Sequence, residues 1–144
     1  MAAAILSFIG LLVGAVLQFF FTRHVERKKY ERDLRAKAYS DYLLCVSEQA
    51  NLAHQRQSSE GRQLGARTAD AKYRISLYGA EKVISAFAHF ERLGATMNND
   101  EQRRAFTQMV IEMRRDAIGN ASAAPDDLEA VLLGHAEVRG ARGA

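Results

Sequence analysis

Tryptophan is absent from this chain of 144 residues, and cysteine and proline occur once each, as Cys45 and Pro125. One cysteine excludes an internal disulfide, and with it the stapled scaffolds of small secreted domains. With so little proline, helices have few obligatory stops. Between Ala15 and Glu60 glycine is missing as well. Strands would need more Val, Ile and Thr and denser turn chemistry than the sequence holds. A strong excess of one charge is also lacking. The formal net charge is +3, too modest for the basic surface of a nucleic-acid binder, so no nucleic-acid partner is expected.

The most telling absence is local: no side chain before Arg23 carries a formal charge, and from Ala2 to Phe21 only Ser7 and Gln18 are polar. Twenty helical residues rise about 30 Å, the thickness of a bilayer's hydrocarbon core. A soluble core helix seldom stays apolar on every side for that distance. A cleaved signal peptide would show a basic stretch ahead of the run and an A-x-A-like site after it. The run instead ends Gln18-Phe19-Phe20-Phe21-Thr22-Arg23. The expectation is a retained transmembrane anchor over residues 1–22. Ala3, Ser7, Gly10 and Gly14 step by four, three and four and so share one face. The Gly10–Gly14 pair is a G-x-x-x-G, and this face is the candidate for packing against a second span.

Beyond the apolar run the chain turns abruptly basic. Residues 23–37 hold seven basic side chains, Arg23, Arg27, Lys28, Lys29, Arg32, Arg35 and Lys37, against Glu26, Glu31 and Asp33. Lys and Arg beyond a span hold that side in the cytoplasm. The expected topology is therefore the amino terminus outside and the rest of the chain in the cytoplasm, at a bacterial inner membrane. Arg23, Arg27, Lys28, Lys29 and Arg32 are the candidate membrane-surface cations, facing lipid whose headgroups would be anionic. Glu31 with Arg35 and Asp33 with Lys37 have the favourable i, i+4 order, which predicts two local ion pairs along a solvated stalk.

From residue 38 to 119 the pattern is that of a helical bundle. The first helix is expected to run on from the anchor to about Gln57, with Tyr39, Tyr42, Leu43, Val46, Ala50 and Ala53 as its apolar stripe. Tyr39 and Tyr42 carry hydroxyls suited to the rim of a core or to a partner, and they form the candidate partner surface. Ser58 to Gly65 reads as a loop by its polarity and two glycines. A second helix follows over 66–78 with Ala71, Ile75 and Tyr78 inward, and Gly79 is expected to end it in a left-handed conformation. Val83, Phe87 and Phe90 line a third helix that Gly94 can close. Asn98-Asn99-Asp100 offers N-cap side chains to a fourth, whose stripe is Phe106, Met109, Val110, Met113 and Ala117. Residues 120–144 are expected to be a linker, a short helix from Pro125 docked by Val131, Leu132 and Leu133, and a frayed tail. The fold class is thus all-α: a transmembrane helix continuing into an antiparallel cytoplasmic bundle of three to four helices.

No residue pattern announces chemistry. His24, His54, His89 and His135 fall in four different segments, none at ligand spacing from another His or Cys, and no metal or other cofactor is expected. Nucleophile-elbow, phosphate-loop and dinucleotide fingerprints are absent. Cys45 sits on an apolar helical stretch as an inert thiol would. Arg103-Arg104 and Arg114-Arg115 lie three helical turns apart among Glu101, Glu112 and Asp116, as on an exposed face of mixed charge.

The stretches Ala71-Lys-Tyr-Arg-Ile-Ser-Leu-Tyr-Gly79, Glu81-Lys-Val-Ile-Ser-Ala-Phe87 and Met113-Arg-Arg-Asp116, set behind an anchor and a basic stalk, resemble a scattered group of small bacterial single-pass membrane proteins with a helical cytoplasmic domain. The resemblance implies architecture and no activity. The expected function is non-enzymatic: a tethered helical module whose partner is a second copy or another membrane protein. The alternative is a small membrane-active effector, of phage-defence or lysis type, acting by regulated assembly of its span.

Overall fold

A computed structural model of the chain describes residues 2–51, 57–119 and 122–134, with the side chains of 2–12 outside the description. Among the described residues there are five helices and no strand: α1 (Ala2–Asn51), α2 (Ser59–Tyr78), α3 (Glu81–Arg92), α4 (Asp100–Ile118) and α5 (Pro125–Leu133). The protein is all-α. It divides into two compact units, Met1–Leu34 and Arg35–Ala144.

The first unit is the amino-terminal part of α1, which runs unbroken through the interval that lacks glycine and proline. Among the described residues, no helix is long and apolar enough to cross a membrane. The anchor expected over 1–22 is therefore unsupported by them.

The second unit is a bundle built around α4. Ala38, Tyr39 and Tyr42 from α1, Ala71 and Ile75 from α2, Val83, Phe87 and Phe90 from α3, and Ala105, Phe106, Met109, Val110 and Met113 from α4 form one core. Phe90 and Phe106 meet with ring centroids 5.4 Å apart, and Tyr42 meets Phe87 edge-on at 4.8 Å. α4 buries Ala105, Phe106 and Thr107, then Met109, Val110 and Ile111. That is broader than one stripe, because α3 and α5 both pack against it. α1 and α2 are antiparallel neighbours, joined by ion pairs a heptad apart: Arg67–Glu48 at 2.7 Å and Arg74–Asp41 at 2.8 Å.

The bundle departs from the expected pattern in several places. Ser58 to Gly65 is not a loop, because α2 begins at Ser59. The Ser58 hydroxyl accepts the Gly61 N–H at 3.0 Å, and Leu64 is buried two turns before Ala71. A cap and a buried leucine outweigh two glycines that cost about 1 kcal/mol each in a helix. Tyr78 and Val131 face outward, Val131 with 83% of its surface exposed, while Leu132 and Leu133 pack against the core as expected. Neither expected stalk pair forms: Glu31 turns back to Arg27 at 3.3 Å, Arg35 reaches Asp116, and Lys37 pairs forward with Asp41 at 4.0 Å.

The loop between α3 and α4 is built on Asn99 and Gln102. The Asn99 Oδ1 accepts the Gln102 N–H at 2.9 Å, while the Gln102 Oε1 accepts the Asn98 N–H at 3.0 Å. This differs from a capping box in that the glutamine side chain accepts from the residue before the N-cap and not from the N-cap itself. The Gln102 amide also donates to the Leu93 carbonyl at 2.7 Å, which ties the end of α3 to the start of α4.

Gly79 ends α2, but its φ of −61° is not left-handed. Its requirement is steric: a Cβ there would lie 2.5 Å from the Ile75 carbonyl oxygen, which already accepts the Gly79 N–H at 2.8 Å. Gly79→Ala is expected to destabilise the bundle by about 1–3 kcal/mol, the range for forced overpacking. Chemical denaturation with unchanged slope and a lower midpoint would check it; an unshifted midpoint would show that the turn relaxes freely.

Candidate functional site

Two places stand out among the described residues, one on the surface and one inside the bundle. The first is the belt on α1. Val13, Val16, Leu17, Phe19, Phe20 and Phe21 are all solvent-exposed, Phe20 at 67% and Phe21 at 78%. Single exposed apolar residues are ordinary, whereas a contiguous set with three phenylalanines is unusual. Arg23 lies with its guanidinium 5.2 Å from the Phe19 ring centroid, so cation and aromatic meet at the edge of the belt. Arg23, Arg27, Lys28, Lys29 and Arg32 are exposed. Among them only Arg27 has a carboxylate partner among the described residues.

At about 100° per residue, the exposed apolar side chains and the cations each spread over most of the helix circumference. The two classes are separated along the axis of α1 and not around it. A helix lying flat in a headgroup layer requires the opposite, an apolar face and a basic face along the same stretch.

Of the small-residue face, Ala3, Ser7 and Gly10 lie outside the described side chains. Gly14 is exposed, with nothing within 4 Å of the position a Cβ would take.

The second place is a polar junction inside the bundle. Tyr39 is 3% exposed and Tyr42 2%, so neither presents a surface, and the partner surface expected there is corrected to core. Both rings pack inward because each sits on the buried side of α1 beside Ala38 and Cys45. The Tyr39 hydroxyl donates to Asp116 Oδ2 at 2.8 Å and accepts the Ala80 N–H at 3.2 Å. Asp116 Oδ2 also lies 2.9 Å from Arg35 Nε. That approach is an ion pair and not a hydrogen bond, since the buried Nε–H has no aligned acceptor. Burial is the main cause that pushes the Tyr39 phenol up to about 12; the Ala80 N–H opposes it, while the Asp116 carboxylate adds to it. Tyr42 is shifted upward too, again chiefly by burial. Neither is a base near neutral pH. The junction joins α1, the link after α2, and α4.

The remaining candidates are accounted for structurally. Cys45 is buried and free. His24 and His89 are exposed, while His54 and His135 lie outside the described residues. Among the described residues, no three His, Cys, Asp or Glu side chains gather where a metal ion could be held. Arg103 leaves the mixed-charge face to pair with Glu129 of α5 at 3.1 Å. A cleft of about 350 Å³ beside Gly61, Gly65 and Ala69 has Lys72 as its sole charged lining residue, and Lys72 is paired to Glu91 at 2.6 Å. No family model matches the chain, and no curated protein or solved structure does either.

Proposed function

We propose that the protein is a non-enzymatic, membrane-tethered module. In this reading the apolar start of α1 inserts into a bacterial inner membrane, and the bundle is held on the cytoplasmic side to meet a second copy or another membrane protein. The observation that carries the reading is the axial separation on α1: an uncharged run with exposed phenylalanines at its end, then a ring of exposed cations. The cationic end favours the cytoplasmic side. Tethering confines the bundle to a surface and raises its effective concentration toward partners there. With Tyr39 and Tyr42 inside, the surface offered to a protein partner is the exposed side of α2, where Tyr73 and Leu77 share an i, i+4 face and are 64% and 55% exposed. The exposed Gly14, together with the small residues Ala3, Ser7 and Gly10 that share its face in the sequence, suits close approach of two spans.

The test is fractionation of the full chain. It is expected to sediment with membranes, to resist extraction by alkaline carbonate and to be released by mild detergent. Recovery of the full-length chain as a soluble species without detergent would overturn the proposal.

A further inference from the structure

We propose that Arg23, Lys28, Lys29 and Arg32 form a collar on α1 that binds anionic phospholipid headgroups. The inference rests on the membrane reading above and names the lipid it selects.

All four side chains are exposed, and among the described residues none lies within ion-pair distance of a carboxylate. Their neighbour Arg27 is neutralised by Glu31 at 3.3 Å, and Arg35, next along the helix, is drawn to Asp116 at 2.9 Å. Arg23 is set against the Phe19 ring at 5.2 Å, which fixes the collar's near edge at the end of the apolar belt. From Arg23 to Arg32 the helix rises about 14 Å. A headgroup layer of about 5–8 Å plus one Debye length of about 8–10 Å covers that height.

The angular distribution selects the partner. At about 100° per residue, Arg23, Lys28, Arg32 and Lys29 point in directions spread around roughly two-thirds of the circumference. Glu26 and Asp33, seven residues apart, share the strip between them. Lys28, Arg32 and Lys29 lie within about 100° of one another and Arg23 is turned to the opposite side, so a nucleic-acid duplex or an acidic protein face, which touches one side of a helix, would leave Arg23 unused. A headgroup layer pierced by the helix surrounds it and meets them all. The partner's charge must be negative, which zwitterionic lipid does not supply as a net field.

The experiment uses the full chain synthesised in the presence of vesicles of phosphatidylcholine containing a minor fraction of phosphatidylglycerol. Flotation reads insertion. The ratio of the two lipids retained on the protein after gentle solubilisation and purification reads selectivity. A basic side chain near a charged surface favours anionic lipid by about fivefold. Wild type is therefore expected to retain phosphatidylglycerol enriched severalfold over its share in the vesicle, and the enrichment to fall in high salt. The triple variant Lys28→Gln, Lys29→Gln, Arg32→Gln should float equally well, with unchanged helical circular dichroism, and lose the enrichment. Flotation without enrichment in wild type would overturn the collar and leave the membrane reading standing. Enrichment that survives the triple substitution would also overturn it. Failure to float with any vesicle would overturn both.

Discussion

Phe90→Ala is expected to destabilise the bundle by about 3–5 kcal/mol, the range for emptying a large aromatic site in a packed core. Phe90 is 1% exposed and sits where α3 crosses α4, its ring 5.4 Å from that of Phe106. Met109 and Val83, each fully buried, belong to the same core. The site cannot collapse easily. The end of α3 is pinned by the Gln102 amide on the Leu93 carbonyl, and the Phe90 carbonyl accepts the Ala95 N–H at 3.1 Å in the adjoining turn. Small domains have total stabilities of about 5–15 kcal/mol, so a loss of this size leaves little of the bundle folded at 37 °C. Phe90→Leu retains most of the volume and should cost less than half as much. Urea unfolding followed by circular dichroism separates the two variants. Equal midpoints for Phe90→Ala and wild type would mean that the α3–α4 crossing is not where the core's stability resides.

That crossing is also the most legible part of the chain. Val83, Phe87 and Phe90 recur at spacings of four and three on a short helix with polar residues elsewhere, and the structure buries all three. A period of 3.6 has one solution there. The start of α2 is illegible for the opposite reason. Between Ser58 and Gly65 the only large apolar residue is Leu64, and the signal lies in the cap, where Ser58 reaches the Gly61 N–H. Local composition registers two glycines and no more. The cap at Asn99 is half visible: the asparagine is plain in the sequence, but nothing local shows that Gln102 turns back to the Asn98 N–H.

Side chains that reach between helices are hidden from any local reading. Glu31 and Arg35 have ideal i, i+4 spacing, yet Arg35 joins Asp116, far along the chain on α4, because tertiary packing puts a carboxylate closer than the helix does. A surface pair of the expected kind is worth only about 0.3–0.5 kcal/mol, so a partly buried partner easily displaces it. The same limit applies to Tyr39 and Tyr42. Their amphipathic character permits a surface role, and only the position of Asp116 and the Ala80 N–H shows that the Tyr39 hydroxyl is satisfied inside. On α1 the situation is reversed. The apolar run and the cations are plain in the sequence, and the structure adds their exposure from Val13 onward and the axial manner of their separation.

The junction around Asp116 yields the second large effect. Asp116→Ala is expected to cost about 2–3 kcal/mol, shifting the thermal midpoint by on the order of 10 °C. The substitution removes the acceptor of the Tyr39 hydroxyl and leaves the Arg35 guanidinium beside it without its counter-charge. Arg35 is partly exposed, so water recovers some of that loss and the hydrogen bond dominates. Asp116→Asn keeps an acceptor for Tyr39 and should cost about half as much. If the asparagine variant fell as far as the alanine one, charge and not the hydrogen bond would hold the junction. Tyr39→Phe provides an independent reading through pH. Its phenol is pushed up to about 12 in the folded protein, so above pH 10 the unfolded chain releases this proton first. Stability from this group is complete below pH 10 and is lost as the pH rises toward 12. Between those values wild type should lose stability more steeply than Tyr39→Phe, with the difference growing across the window. Parallel curves would show that the hydroxyl ionises as freely in the bundle as in the open chain, contrary to its place between Asp116 and the Ala80 N–H.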